Sequence, residues 1–200
     1  EMIPGDDFDL GEDGSALYYA DWDVVGIMFR DWKPAQSHNI SIQGTSGKTS
    51  YFLSVGYNHE EGVMTFNPDK LNKYNANMNV TSDITNWLQI GGRFSYSDKA
   101  YTTPNTRRNT YTYMWRWGSF FGPYGTYQGI DMKNDIAYLK QAGDDKTNDS
   151  YTRIGAFLKA TIIKGLTLNA DYTFNINNKT TKSVGLPVIC WNSWGGKLNT

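Results

Sequence analysis

Cysteine is almost missing from this chain: Cys190 is the single thiol in 200 residues. One cysteine excludes an internal disulfide framework and any CxxC metal site. Histidine is scarce as well, with His38 and His59 the whole supply. A catalytic histidine needs a nucleophile or metal partners within reach, and the sequence signals none. The net charge is −1, which excludes a nucleic-acid footprint and leaves no nucleic acid among the expected partners. No apolar run approaches the roughly 20 residues a spanning helix needs, so any membrane reading must rest on strands. The opening "EMIPGDDFDL" has neither a basic start nor an apolar stretch, so no signal peptide is visible. The chain does not begin with Met and is expected to be a mature product or a fragment. Its length suits one or two domains and suffices for a buried core.

Aromatics are abundant, at 15% of the chain with 14 Tyr and 7 Trp. That points to a carbohydrate surface, a membrane interface, or both. Their setting is a strict alternation. In "YNANMNV", Tyr74, Ala76, Met78 and Val80 alternate with Asn75, Asn77 and Asn79. Six segments behave this way: 38–44, 49–58, 74–80, 87–97, 151–162 and 165–175. One face carries Leu53, Val55, Leu88, Ile90, Phe94, Ile154, Leu158, Leu166 and Leu168, with no charge. The other carries Ser, Thr, Asn and Gln with Arg93, Arg153, Lys159 and Asp171; Phe52 and Phe157 are its large apolar intruders. Period-two patterning predicts an all-β, antiparallel sheet with two distinct faces.

The connections alternate too. "TSGK", "SDITN" and "IKG" read as tight turns, whereas 59–69, 100–150 and the residues from 176 onward read as long loops. Short turns at one end and long loops at the other is the asymmetry of an outer-membrane barrel. Trp87 and Tyr51 are expected near the short-turn end; Tyr57, Tyr74, Tyr96, Tyr172 and Phe174 are expected toward the long-loop end, as interfacial girdles. The neutral polar face then lines a wet lumen and the apolar face meets outer-membrane lipid. Six strands cannot close such a barrel, which starts at about eight. Either chains assemble or this is a sector of a longer polypeptide; the bare start and the ending "GGKLNT" favour the second.

A family resemblance enters at "DWDVVGIMF", "HNISI", "GKTSYFLSVGY" and "EEGV". It continues in order through "DKLNKYNANMNV", "DITNWLQIGGRFSYS", "RWGSFFGPYGTY", "NDIAYLKQA" and "IKGLTLNADYTFN". Together these resemble the SusC/RagA-like branch of TonB-dependent outer-membrane transporters over most of residues 20–176. The chain departs at "SIQGTSGK", which has one glycine where the family commonly shows a pair, and the departure bears on the turn geometry. The resemblance implies a 22-stranded transmembrane β-barrel with long extracellular loops, in the outer membrane of a Gram-negative, Bacteroidetes-type cell. It implies a non-enzymatic importer of glycans or oligopeptides, working with a SusD-like surface lipoprotein. It also implies a TonB complex acting through a plug that is not recognisable in this chain. On this reading 1–37 is an extracellular loop segment with a short helix, 38–176 holds the barrel strands, and 177–200 starts the next loop.

The stretch 100–150 is the candidate functional loop. It packs Tyr111, Tyr113, Trp115, Trp117, Phe120, Phe121, Tyr124 and Tyr127 around Arg116. Such rings stack on sugar faces, and an arginine bonds hydroxyls or a peptide carboxylate. The same rings also hold loops together, since large aromatics dominate packed interfaces. The cluster as a whole is the candidate substrate-binding or partner site. Short helices are expected at 21–31, capped by Asp21, and through "IAYLKQA", capped by Asn134 or Asp135. The acidic start around Asp6, Asp7, Asp9, Glu12 and Asp13 lacks EF-hand spacing and reads as a solvated loop, so no metal and no cofactor is called for. Glu60 and Glu61 are adjacent and, on a strand, point to opposite faces, so they are no acid–base pair. Two rivals stand beside the transporter: a soluble carbohydrate-binding β-sandwich using the same aromatic loop, and a glycosidase, for which no separated carboxylate pair is evident.

Overall fold

A computed structural model describes residues 3, 6–18, 23–113 and 125–191. In chain order the elements are β1 (Phe8–Leu10), β2 (Ala16–Tyr18), α1 (Val24–Met28), β3 (Ala35–Ser46), β4 (Thr49–Glu61), β5 (Lys70–Asp83) and β6 (Leu88–Pro104). Then come α2 (Arg107–Tyr113), β7 (Thr126–Tyr127), β8 (Ile130–Asp131), α3 (Asp135–Gln141), β9 (Asp144–Ile163) and β10 (Leu166–Ser183). The six long strands form one antiparallel sheet in the order β10-β9-β6-β5-β4-β3. It is an up-and-down meander. Between β6 and β9 the chain detours through α2, the small β7–β8 pair and α3.

Register turns the sequence alternation into two chemically distinct surfaces. Ile42, Leu53, Met78, Phe94, Ile154 and Phe174 fall in one cross-strand row. The next row is Ile40, Val55, Ala76, Tyr96, Thr152 and Ile176. Among the described residues no second layer covers this face: Leu53, Met78, Ile90, Leu168 and Phe174 are all exposed. The opposite face stacks Ser54, Asn77, Ser95, Arg153 and Asn175 in a row. Its asparagines are tied across the strands. Ser95 Oγ donates to Asn77 Oδ1 at 2.8 Å, and Asn175 Oδ1 accepts from Tyr151 Oη at 2.9 Å and from Arg153 Nε at 3.0 Å. Neutral amides thus find partners in the hydroxyls of Ser95 and Tyr151 and in Arg153, where a carboxylate in their place would demand a counter-charge.

On β10 the apolar run extends from Leu166 to Ile176. Ten residue steps give about 33 Å of strand, and a tilt of about 40° leaves about 25 Å of depth, the height of a barrel's apolar band. Beyond that band the strands continue. Tyr74 gives way to Asn72 and Lys70 on β5, and Ile176 to Asn178, Thr180 and Lys182 on β10. Alternation fades there because both faces are polar, yet the ladder holds through Lys99↔Asp149 and Thr102↔Lys146. This is why the strands outrun the segments that alternation marks. The long connections shrink to 62–69 and 105–143, and residues 177–183 lie in strand. Tyr172 is also relocated: it shares a row with Tyr51, Val80, Gly92 and Ala156, nearer the short turns than the sequence reading places it. Tyr57 and Tyr74 do pair near the long-loop end, with ring centroids 5.0 Å apart.

The short turns are built by glycine where the backbone requires it. Gly47 (φ 61°) and Gly165 (φ 89°) each occupy a two-residue turn in the left-handed region. One glycine therefore suffices at "TSGK". At the other end the loops share a small hydrophobic core of Met28, Met64, Ile136 and Leu139, flanked by Val24, Ile27, Phe29 and Phe66. Both expected helices form. Asp23, rather than Asp21, caps α1, its Oδ1 accepting from Gly26 N at 2.9 Å; Asp21 lies outside the described residues. Asn134 caps α3, accepting from Ala137 N at 2.7 Å.

Candidate functional site

The sequence places the site in the β6–β9 connection, and the structure divides its members. Tyr111 and Tyr113 stand on α2, both exposed. The Tyr111 ring meets Phe29 edge-on at 5.9 Å, so it braces the loop core while presenting its remaining surface. Tyr127 is elsewhere, in β7, where it packs edge-on against the buried Phe8 at 5.3 Å. Its carbonyl oxygen accepts from Trp191 Nε1 at 2.7 Å. Tyr127 therefore serves packing and does not join Tyr111. Trp115, Arg116, Trp117, Phe120, Phe121 and Tyr124 lie outside the described residues.

What the structure assembles instead is a cavity of about 680 Å³ beside α2. Its walls are Lys33, the 62–64 and 69 positions of the β4–β5 connection, the end of β6, the start of β9, and Arg107, Arg108, Tyr111 and Thr112 of α2. Thr103 and Asp145, a cross-strand pair at its floor, have the parity of the polar face. The cavity thus opens on the same side as the asparagines. Val63, Met64 and Tyr111 supply apolar surface within it.

A polar clamp holds α2 in place. Asp69 Oδ2 accepts from Tyr101 Oη at 2.9 Å and lies 3.6 Å from Arg107 Nη1, which also donates to Tyr101 Oη. Arg30 does the same for α1, donating to Glu61 at 3.0 Å and to the Gly62 carbonyl at 2.9 Å. Lys33 pairs with Glu60 at 3.6 Å, and Asp145 accepts from Ser183. Arg108 has no ion-pair partner among the described residues and stands at the cavity wall as its uncommitted cation. An arginine fork beside the apolar surface of Val63, Met64 and Tyr111 is equipped to hold a carboxylate attached to an apolar group. Sequence reading fixed on the aromatic run and passed over "TRRNT" immediately before it; that arginine doublet was the available signal.

Lower on the polar face, Phe157 lies across Gly91, its register partner. The Arg93 guanidinium sits 4.6 Å over that ring and pairs with Asp171 at 3.0 Å. The intruding Phe157 is thus roofed by a charge pair and shields the bare backbone of a glycine. Cys190 lies in the chain after β10, and burial pushes its thiol above the ordinary value. It is poorly suited to act as a nucleophile.

An open antiparallel meander with an uncovered apolar face and a hydrogen-bonded polar face is a sector of barrel wall, and its structural likenesses are transporters. The RagAB peptide transporter matches with a TM-score of 0.61 at 23% identity, over 80% of this chain and 19% of that one. The RagAB peptide importer in its closed-closed state matches with a TM-score of 0.61 at 22% identity, over 84% of this chain and 20% of that one. The chain therefore spans about a fifth of the length of the solved chains it matches. The RagA-like resemblance read from the sequence is met in the fold. No protein-family model matches the sequence, and no curated protein does.

Proposed function

We propose that the chain forms part of the barrel wall of an outer-membrane, TonB-dependent importer of large nutrients, with oligopeptides the favoured cargo. The observation that carries this reading is the uncovered apolar face, about 25 Å deep by its strand length and tilt, backed by a hydrogen-bonded polar face. The likeness to a peptide transporter favours peptides over glycans. In this reading lipid wets Leu53, Met78 and Leu168 while lumen water wets Asn77 and Asn169. The long-loop end faces outward, beneath a SusD-like lipoprotein, and the cavity beside α2 joins the exposed Tyr111 and Tyr113 as a cargo-contacting surface. Trp115, Arg116, Trp117, Phe120, Phe121 and Tyr124 belong to the same loop and are proposed to contact cargo or lid, while Tyr127 keeps its packing role against Phe8. The chain performs no covalent chemistry; energy arrives through a TonB-coupled plug.

Cysteine accessibility in isolated outer membranes tests it. In a Cys190→Ala background of the intact protein, Asn77→Cys and Asn169→Cys should react with a charged, membrane-impermeant maleimide. Met78→Cys and Leu168→Cys should react only after detergent extraction. Equal labelling at all four positions, or recovery of the protein in the soluble fraction, would refute the membrane assignment and revive the β-sandwich.

A further inference from the structure

We propose that a rung of lysines on the polar face binds an acidic stretch of the cargo peptide in extended form. This rests on the importer reading and adds the charge character of the cargo. Lys73 of β5 lies directly opposite Lys99 of β6, which lies opposite Asp149 of β9, which lies opposite Lys179 of β10. Their parity matches Asn75, Ser97 and Asn177, so all four side chains stand on the polar face.

Like charges placed directly opposite in an antiparallel pair destabilise a sheet. Here the rung carries three bases and one acid, and Asp149 neighbours only Lys99 and Lys179. Lys33, Lys140 and Lys146 each make an ion pair with an aspartate or glutamate, but Lys73, Lys99 and Lys179 make none among the described residues. All three are exposed. The rung also holds a defined position. It lies between the cavity beside α2, where Arg108 is uncommitted, and the neutral asparagine zone, where Arg153 is held by Asn175. A descending anionic segment would pass from one cationic station to the next.

Spacing selects the ligand. Four strands at about 4.8 Å put Lys73 and Lys179 about 14 Å apart. In an extended peptide, side chains two residues apart share a side and are separated by about 7 Å, so carboxylates at i and i+4 span the same 14 Å. An ammonium offers donors alone and a carboxylate acceptors alone, so each contact is complementary. The matching cargo is an Asp/Glu-x-x-x-Asp/Glu segment lying across the strands.

Fluorescence anisotropy on the intact purified transporter tests the proposal, with three labelled oligopeptides of equal length bearing Glu, Gln or Lys at i and i+4, and with an oligouronate. The Glu peptide should bind about fivefold tighter than the Gln peptide, with the difference lost at high salt and in K73Q/K99Q. The K164Q variant, which removes a lysine from the β9–β10 turn, should leave it unchanged. K73Q/K99Q relieves a repulsion and should fold at least as well, checked by heat-modifiable migration; K179Q provides a second, independent variant. If Glu and Gln peptides bind equally, the rung is overturned while the importer reading stands. If no peptide binds, the rung proposal and the oligopeptide cargo both fall, while the barrel-wall reading is decided by the cysteine labelling. If the oligouronate alone loses affinity in K73Q/K99Q, an acidic glycan replaces the acidic peptide and the proposal is wrong.

Discussion

Gly91→Ala should be the most revealing single-methyl change in the sheet. Gly91 has no left-handed φ, so alanine faces no backbone penalty there. The problem is space. A Cβ built on Gly91 falls into the edge of the Phe157 ring and within 2.7 Å of the Val80 carbonyl oxygen. The ring must shift, and the shift disturbs its packing beneath the Arg93 guanidinium 4.6 Å above it. Overpacking of this kind costs about 1–3 kcal/mol, of which an exposed cation–π contact represents about 0.5–1 kcal/mol. We expect Gly91→Ala to destabilise the intact barrel by about 2 kcal/mol in urea titrations in detergent, followed by tryptophan fluorescence. In a Phe157→Ala background the ring is gone and the Val80 carbonyl still crowds the methyl at 2.7 Å, so the same change should cost less without becoming neutral. The cycle should return a coupling of about 1–2 kcal/mol. A coupling near zero, or a neutral Gly91→Ala, would refute the account of Phe157 as a lid on bare backbone.

Other expectations concern the loops. Asn134→Ala removes the acceptor for Ala137 N and should weaken α3 by about 1 kcal/mol, read as faster amide exchange confined to 135–141. Burial raises the Asp135 carboxyl from 3.8 to about 6. Between those values the folded loop binds the extra proton, so its stability is greatest at low pH and falls as pH rises toward 6. Amide protection factors in α3 should therefore increase from pH 7 to pH 5, and Asp135→Asn should flatten the profile; a profile rising with pH would contradict the burial argument. Cys190, its thiol raised chiefly by burial, should alkylate at neutral pH more slowly than the unfolded chain does.

The sheet was legible because its membrane-depth segments obey one rule. Apolar residues alternate with neutral polar ones wherever two unlike solvents meet the strand, and all six strands follow from that. The rule expires at Tyr74 and Ile176. Beyond them Asp98, Lys99, Asn148 and Lys179 are polar on both sides, and only cross-strand hydrogen bonding shows that they remain sheet. Helix caps were readable to within a residue or two, since Asp23 and Asn134 act locally. The cavity was not readable. Lys33, Asp69, Arg108 and Asp145 are scattered along the chain, and only the packing of α2 against the rim brings them together. Tyr127 shows the converse: proximity in sequence suggested membership of one aromatic cluster, and Phe8 and Trp191 captured it for another.

The shared loop core has a mechanical consequence. Met28 precedes β3, Met64 joins β4 to β5, and Ile136 and Leu139 sit between β6 and β9. Segments that leave the sheet at three separate points are therefore welded into one block. A ligand that tugs on any of them loads all three hairpins at once, so the mouth should yield by tilting as a unit, with its pivots at the strand tops near Glu61, Pro104 and Asp144.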